Sequence, residues 1–168
     1  DLANIKIAKE MGVTGVMQPF VRDHSDLECV KEALREAGAE DIRLFAKIEN
    51  MDGVRKLEKL LPAADEIVIA RGDLGNAVHL WDLPGVQRQI SEKCRAAGKP
   101  FMVVTQMLAS MERSPVPTRA EVNDIFHAVM DGAASIMVTG ETAVGDYPVE
   151  VIRYMVNTVR SAEKEENR

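Results

Sequence analysis

Short apolar runs alternate with longer amphipathic stretches along the chain. The runs are Val13–Phe20, Arg43–Ile48, Glu66–Ala70, Phe101–Thr105 and Ser135–Thr139, rich in Val, Ile, Met and Phe. Low charge and β-branched content over four to eight residues is what strands covered on both faces require. Between the runs, helical spacing predicts helices over Leu2–Met11, Asp23–Ala37, Met51–Leu60, Gly85–Ala97, Thr118–Met130 and Pro148–Lys164. Gly12, Gly38 and Gly98 stand just past three of these stretches, where a left-handed residue ends a helix. Thr118 and Glu121 have the T-x-x-E spacing of a capping box. The charged tail Glu163–Arg168 is expected to fray.

Strands that alternate with helices imply right-handed crossovers and a parallel sheet. One unit every 25 to 35 residues or so fits either a (β/α)8 barrel or an open doubly wound sheet. Five strands are predicted, whereas a barrel closes with eight and takes roughly 250 residues. The sequence also opens within a helix rather than a strand. The expectation is an α/β fold, a partial (β/α)8 TIM barrel spanning residues 1–168, with no linker or low-complexity segment.

Composition narrows the function classes. At 168 residues, 46% hydrophobic and 29% charged, the chain has the makeup of one globular domain. A net charge of −6 argues against nucleic acid or an anionic membrane as partner. No apolar run approaches the ~18 residues of a membrane span, and no basic-then-apolar leader is visible, so a cytoplasmic protein is expected. Cys29 and Cys94 lie far apart on predicted helices without metal-ligand spacing, the pattern of reduced thiols.

Ligands of parallel α/β folds bind at the carboxyl ends of the strands. Those positions hold Arg22, then Lys47, Glu49 and Asn50, then Arg71, Gly72 and Asp73, then Thr105 and Gln106, and finally Thr139, Gly140, Glu141 and Thr142. Lys47 and Glu49 share the parity of one strand face, and Asp73 arrives from the next strand end. Two carboxylates on neighbouring strands suit Mg2+ or Mn2+ with positions left for substrate oxygens. Gly72 and Gly75 allow close backbone approach and positive φ, and the amides of residues 71–73 can receive a carboxylate or phosphate. Lys47 suits charge that develops on a transferring group or an enolate oxygen. Taken singly, each piece has an ordinary structural reading: a surface ion pair, a turn, a strand-end hydroxyl bonded to backbone. The Thr118–Glu121 box reads as structural, Met107 and Met111 as core, and His24, His79 and His127 as unrelated. Polar chemistry at four successive strand ends is what raises them above that.

Six motifs stand in series: K-I-E-N, A-R-G-D-L-G, T-Q-M-L-x-S-M, P-x-P-T-R-A-E, D-G-A and G-E-T-A-x-G-D-Y-P. In order and spacing they resemble the pyruvate kinase family, in the second part of its catalytic barrel. The resemblance implies phosphoryl transfer between phosphoenolpyruvate and ADP, giving pyruvate and ATP. It implies that Lys47 stabilises the transition state and the enolate, and that Glu49 and Asp73 bind Mg2+ or Mn2+. The backbone of Ala70, Arg71 and Gly72, with Asp73 and the Thr105 hydroxyl, would hold the substrate. Thr105 and Thr139 would join the network that protonates the enolate. K+ is expected of the family, but its ligands and a phosphate-binding arginine belong to earlier barrel strands that this sequence does not contain. The nucleotide lid and the C-terminal effector domain are likewise outside it. The P-T-R-A-E region implies a subunit interface, so a homo-oligomer or the remaining parts of the same barrel are the expected partners. Two positions depart from the family pattern: Pro19 stands where a serine precedes F-V-R, and Thr139 replaces a serine while keeping the hydroxyl. Two other readings are weighed beside it, a metal-dependent pyruvate-handling carbon–carbon lyase or aldolase, and a non-catalytic barrel module acting in assembly.

Overall fold

Every residue of the run Glu66–Ala70 is buried, and this strand (β3) pairs with the one before it in the first unit. The computed structural model describes residues 2–166 and divides into two compact units at Pro100 and Phe101. In the first unit, α1 (Leu2–Ala8), β1 (Gly15–Gln18), α2 (His24–Glu36) and β2 (Arg43–Ile48) come first. After them come α3 (Met51–Arg55), α4 (Leu57–Leu60), β3, α5 (Arg71–Ala77) and α6 (Leu83–Ala96). β1 pairs parallel with β2 from Gly15 opposite Arg43, and β2 pairs parallel with β3 from Phe45 opposite Glu66. The second unit holds β4 (Phe101–Val104), α7 (Arg119–Met130), β5 (Ser135–Met137), α8 (Gly140–Ala143) and α9 (Pro148–Glu166). There β4 and β5 pair parallel, from Met102 opposite Ser135. The architecture is thus α/β, with parallel strands alternating with helices in the manner of a partial barrel.

The local causes are readable. Asp23 caps α2 by accepting the Ser25 amide at 3.0 Å, and Leu27, Val30 and Leu34 form the helix's buried stripe. Gly12, Gly38 and Gly98 have φ of 71°, 62° and 61°, the left-handed stops that their positions predict. In the second unit α7 packs on α9, burying Ile125 and Ala128 on one helix and Val151 and Ala162 on the other. Both cysteines are free; Cys94 is buried, which pushes its thiol up to about 12, so it stays protonated and inert.

Three local expectations change. The helix read as Met51–Leu60 is two helices, broken at Lys56 (φ −98°, ψ 9°), and a 3-10 turn follows over Leu61–Ala63. Pro62 has no N–H to donate, so the α ladder cannot run past it; no glycine or proline marks the break at Lys56. β1 is shorter than Val13–Phe20 because Phe20 turns into left-handed backbone at φ 50°. The closing helix continues to Glu166, two residues beyond Lys164; Asn167 and Arg168 lie outside the described residues. Among the described residues no helix is long and apolar enough to cross a membrane.

Candidate active site

The first unit's polar centre begins where β2 ends. Lys47 and Glu49 point the same way, and Lys47 Nζ lies 2.9 Å from Glu49 Oε1. The Glu49 side chain is 3% exposed and that of Lys47 26%, so the carboxylate is buried and the ammonium keeps a path to solvent. The second oxygen, Oε2, accepts the Phe20 amide at 2.7 Å. That bond exists because the chain reverses at Phe20, and Val21 then donates its amide to the Lys47 carbonyl at 3.2 Å. Asn50 completes the junction as the cap of α3. Its Oδ1 accepts the Gly53 amide at 2.9 Å, and its Nδ2 donates to the Val21 carbonyl at 3.2 Å. The K-I-E-N motif therefore does two things: it sets a buried ion pair, and it fixes the turn that delivers a third partner to it.

β3 supplies the neighbouring chemistry. Pairing of β2 with β3 runs to Ile48 opposite Ile69, so Glu49 and Ala70 are the next residues on adjacent strands. Ala70 is the N-cap of α5, and its methyl side chain cannot cap that turn. First-turn amides without a capping side chain are the groups that receive anions. Asp73 sits in the same turn and is exposed. One expectation is corrected here. The segment from Arg71 is helix rather than an open glycine loop, and the positive-φ glycines among the described residues are Gly12, Gly38, Gly98 and Gly132. Burial of Leu74 outweighs the poor helix propensity of Gly72 and Gly75.

Carboxylates, as at Glu49 and Asp73, are donors of the kind a hard divalent cation takes. Glu49 and Asp73 offer carboxylate oxygens from adjacent strand ends, and each Glu49 oxygen has a lone pair beyond its present partner. No group of three or more His, Cys, Asp or Glu among the described residues forms a ligand cluster. A cation held by two carboxylates takes its other ligands from water and substrate, the habit of Mg2+.

The second unit presents two hydroxyls. β4 pairs to Val104 and β5 to Met137, so Thr105 directly follows its strand and Thr139 stands two residues past its own. Thr105 and Gln106 both occupy left-handed backbone, at φ 80° and 54°. For a β-branched residue that is a real outlier, costing about 1–3 kcal/mol. Glu141 is 2% exposed and accepts the Thr139 amide at 2.7 Å and the Leu108 amide at 3.2 Å. Glu121 does more than close its capping box with Thr118: it also accepts the Ser110 amide at 2.7 Å and the Ser110 hydroxyl at 2.5 Å. Sequence reasoning placed Glu141 among the strand-end residues without a role and read Glu121 as a cap alone. Their partners lie 33 and 11 residues away, beyond any local pattern.

Burial alone would raise the Glu121 carboxyl, but the hydrogen bonds from Ser110 and Thr118 outweigh it and hold the group below its ordinary 4.5. A depressed folded value means stabilisation that is complete above the unfolded value and lost as pH falls through the folded one. The stability difference between the native chain and Glu121→Gln should therefore shrink on acidification below about pH 4. Urea melts at stepped pH measure it; a gap that is constant or widens on acidification would contradict this origin.

With this geometry in place, comparison with known proteins is decisive. A family profile described as pyruvate kinase, barrel domain, matches residues 1–152. The chain belongs to the pyruvate kinase family. It is 43% identical over 164 residues to the pyruvate kinase of Bacillus licheniformis, covering 98% of this chain and 28% of that protein. Against the Dictyostelium discoideum enzyme it is 43% identical over 163 residues, covering 97% and 32%. The Clostridium acetobutylicum pyruvate kinase gives 42% over 152 residues, covering 90% and 32%. The chain thus spans about a third of the length of the curated relatives it matches. These are pyruvate kinase relatives, and they lend no support to a lyase or a purely structural module.

Proposed function

We propose that the chain carries part of a pyruvate kinase active site, for transfer of a phosphoryl group from phosphoenolpyruvate to ADP. The observation that carries this reading is the Lys47–Glu49 pair at 2.9 Å with its carboxylate buried, beside a strand whose end, Ala70, is an N-cap without a polar side chain. In the proposed reaction the bond between phosphorus and the enol oxygen breaks, and one to the terminal phosphate oxygen of ADP forms. Negative charge passes to the enol oxygen, and a proton added at the methylene carbon gives pyruvate. Lys47 opposes charge on the transferring group and on that oxygen. The amides after Ala70, with the Thr105 hydroxyl, hold the substrate carboxylate. Thr105 and Thr139 belong to the hydroxyl network that delivers the proton. Glu49 and Asp73 would hold Mg2+ or Mn2+, which supplies charge neutralisation and a template for phosphate oxygens. The family membership extends the reading to a glycolytic transferase, cytoplasmic and homo-oligomeric.

Phosphoryl transfer depends almost wholly on positioning and charge neutralisation, so a partial constellation is far worse than proportionally active. The 168 residues alone should bind phosphoenolpyruvate weakly, in a Mg2+-dependent way, and turn it over little or not at all. Calorimetry with phosphoenolpyruvate, with and without Mg2+, tests the first part on the native chain and on Glu49→Gln. Binding indifferent to both would contradict the assignment, and turnover at the rate of an ordinary kinase would contradict the second part.

A further inference from the structure

Thr105 is held in a conformation its own side chain disfavours, and nothing in residues 105–110 supplies the turn chemistry that would pay for it. The segment has no glycine, and two consecutive residues have left-handed φ of 80° and 54°. Such strain persists only where the surroundings over-determine it. Two carboxylates anchor the segment that follows, at Leu108 and Ser110. Glu141, 2% exposed, accepts the Leu108 amide at 3.2 Å through Oε1 and the Thr139 amide at 2.7 Å through Oε2. Glu121 accepts the Ser110 amide at 2.7 Å through Oε1, and the Ser110 hydroxyl at 2.5 Å through Oε2. Met107, Leu108 and Met111 are fully buried, so the segment is also pinned by apolar burial at and on either side of its two carboxylate anchors.

From this we infer that Glu141 and Glu121 are positioning residues: together they lock the turn after β4 and, through Glu141, tie Thr105's turn to Thr139. One carboxylate joins the segment after β4, at Leu108, to the segment after β5, at Thr139. A carboxylate suits this task because each of its oxygens only accepts. A carboxamide of the same shape presents an NH2 to one of the two amides, setting donor against donor. Amide hydrogen bonds to a buried charged acceptor are also among the stronger ones, so two of them can offset the cost of the Thr105 conformation. The inference rests on the proposed reading for what the hydroxyls do; that the two carboxylates hold them does not depend on it.

The test is made on the isotope-labelled native chain, Glu141→Gln, Glu121→Gln and Ser110→Ala. Amide hydrogen exchange at Leu108, Ser110 and Thr139 is followed by NMR, together with the HN–Hα couplings of Thr105 and Gln106, which report φ. In Glu141→Gln, exchange at Leu108 and Thr139 should speed up together, by roughly tenfold to a hundredfold, while the amides of Ile125 and Val151 keep their protection. The Thr105 coupling should leave its left-handed value in the same variant. In Glu121→Gln and Ser110→Ala the Ser110 amide should speed up and the Thr105 coupling should shift toward an average. Should Glu141→Gln fail to fold, the Glu121 and Ser110 variants decide the matter by the same coupling. Unchanged exchange and coupling would overturn the inference, as would equal acceleration of every amide in the second unit, which marks general loosening. Oxalate, a planar enolate mimic, separates the proposed function from the clamp. If the native chain binds it with Mg2+ and Glu141→Gln weakens that binding, both stand. If the native chain does not bind it, the functional reading fails while the exchange data still decide the clamp.

Discussion

Replacing Lys47 by methionine should destabilise the chain by about 3 kcal/mol, because it strands a buried carboxylate. Glu49 would keep only the Phe20 amide as partner, with its side chain 3% exposed. The estimate sits at the low end for a broken buried pair because Lys47 itself is 26% exposed, so part of the pair is already screened. Glu49→Leu should cost about 2 kcal/mol, since the ammonium can turn to water but the Phe20 amide is left without an acceptor. The double variant, Lys47→Met with Glu49→Leu, should recover much of the sum and cost only about 1–2 kcal/mol, an apolar pair being close to neutral where an ion pair stood. Urea denaturation of the four chains closes the cycle. Strict additivity would mean that the two side chains do not depend on each other, against the geometry at 2.9 Å. If the double variant is nearly as stable as the native chain yet holds no divalent cation, the pair is present for chemistry rather than for folding.

Gly53→Ala should be nearly as damaging, although alanine is the better helix former by about 1 kcal/mol. A Cβ at position 53 would stand 2.6 Å from the Val21 carbonyl oxygen, a backbone atom that cannot swing aside. That oxygen is also the acceptor for Asn50 Nδ2, so moving it disturbs the cap of α3. The net loss should be about 2–3 kcal/mol. The turn at Phe20 and Val21 carries the amide that Glu49 accepts, so the variant should also shift the Glu49 carboxylate. Gly85→Ala is the internal control: nothing lies within 4 Å of its Cβ position, and the change should be neutral or mildly stabilising. Equal melts for the two alanine variants would show that the close approach at Gly53 is not felt.

Much of this was legible in the sequence where the cause is local. Gly12, Gly38 and Gly98 announce helix ends because a left-handed stop needs a residue without Cβ, and all three have positive φ. Thr118 and Glu121 announce a capping box because the spacing is the mechanism. The strand Glu66–Ala70 reads as buried from its composition, and it is. What was hidden depends on distant partners. The helix Arg71–Ala77 contains two glycines and forms because Leu74 finds a buried place, which propensity cannot foresee. Phe20 looks like the end of an apolar strand, but Glu49, 29 residues on, takes its amide where the backbone turns back. Glu141 resembles any helix-start acid until its contact with Leu108 is seen. At the candidate site, residue types and strand-end positions were readable, whereas hydrogen-bond partners were not.

The proposed function makes one charge-handling centre of Lys47 and Glu49, at the end of β2, and Asp73, in the first turn of α5. Titration of the chain with Mn2+, followed by the loss of free-ion electron paramagnetic resonance signal, tests that directly. The native chain should bind a single ion, and Glu49→Gln and Asp73→Asn should each weaken binding by about tenfold or more, as loss of one carboxylate from a two-carboxylate site requires. Identical titrations for the native chain and both variants would contradict the shared site.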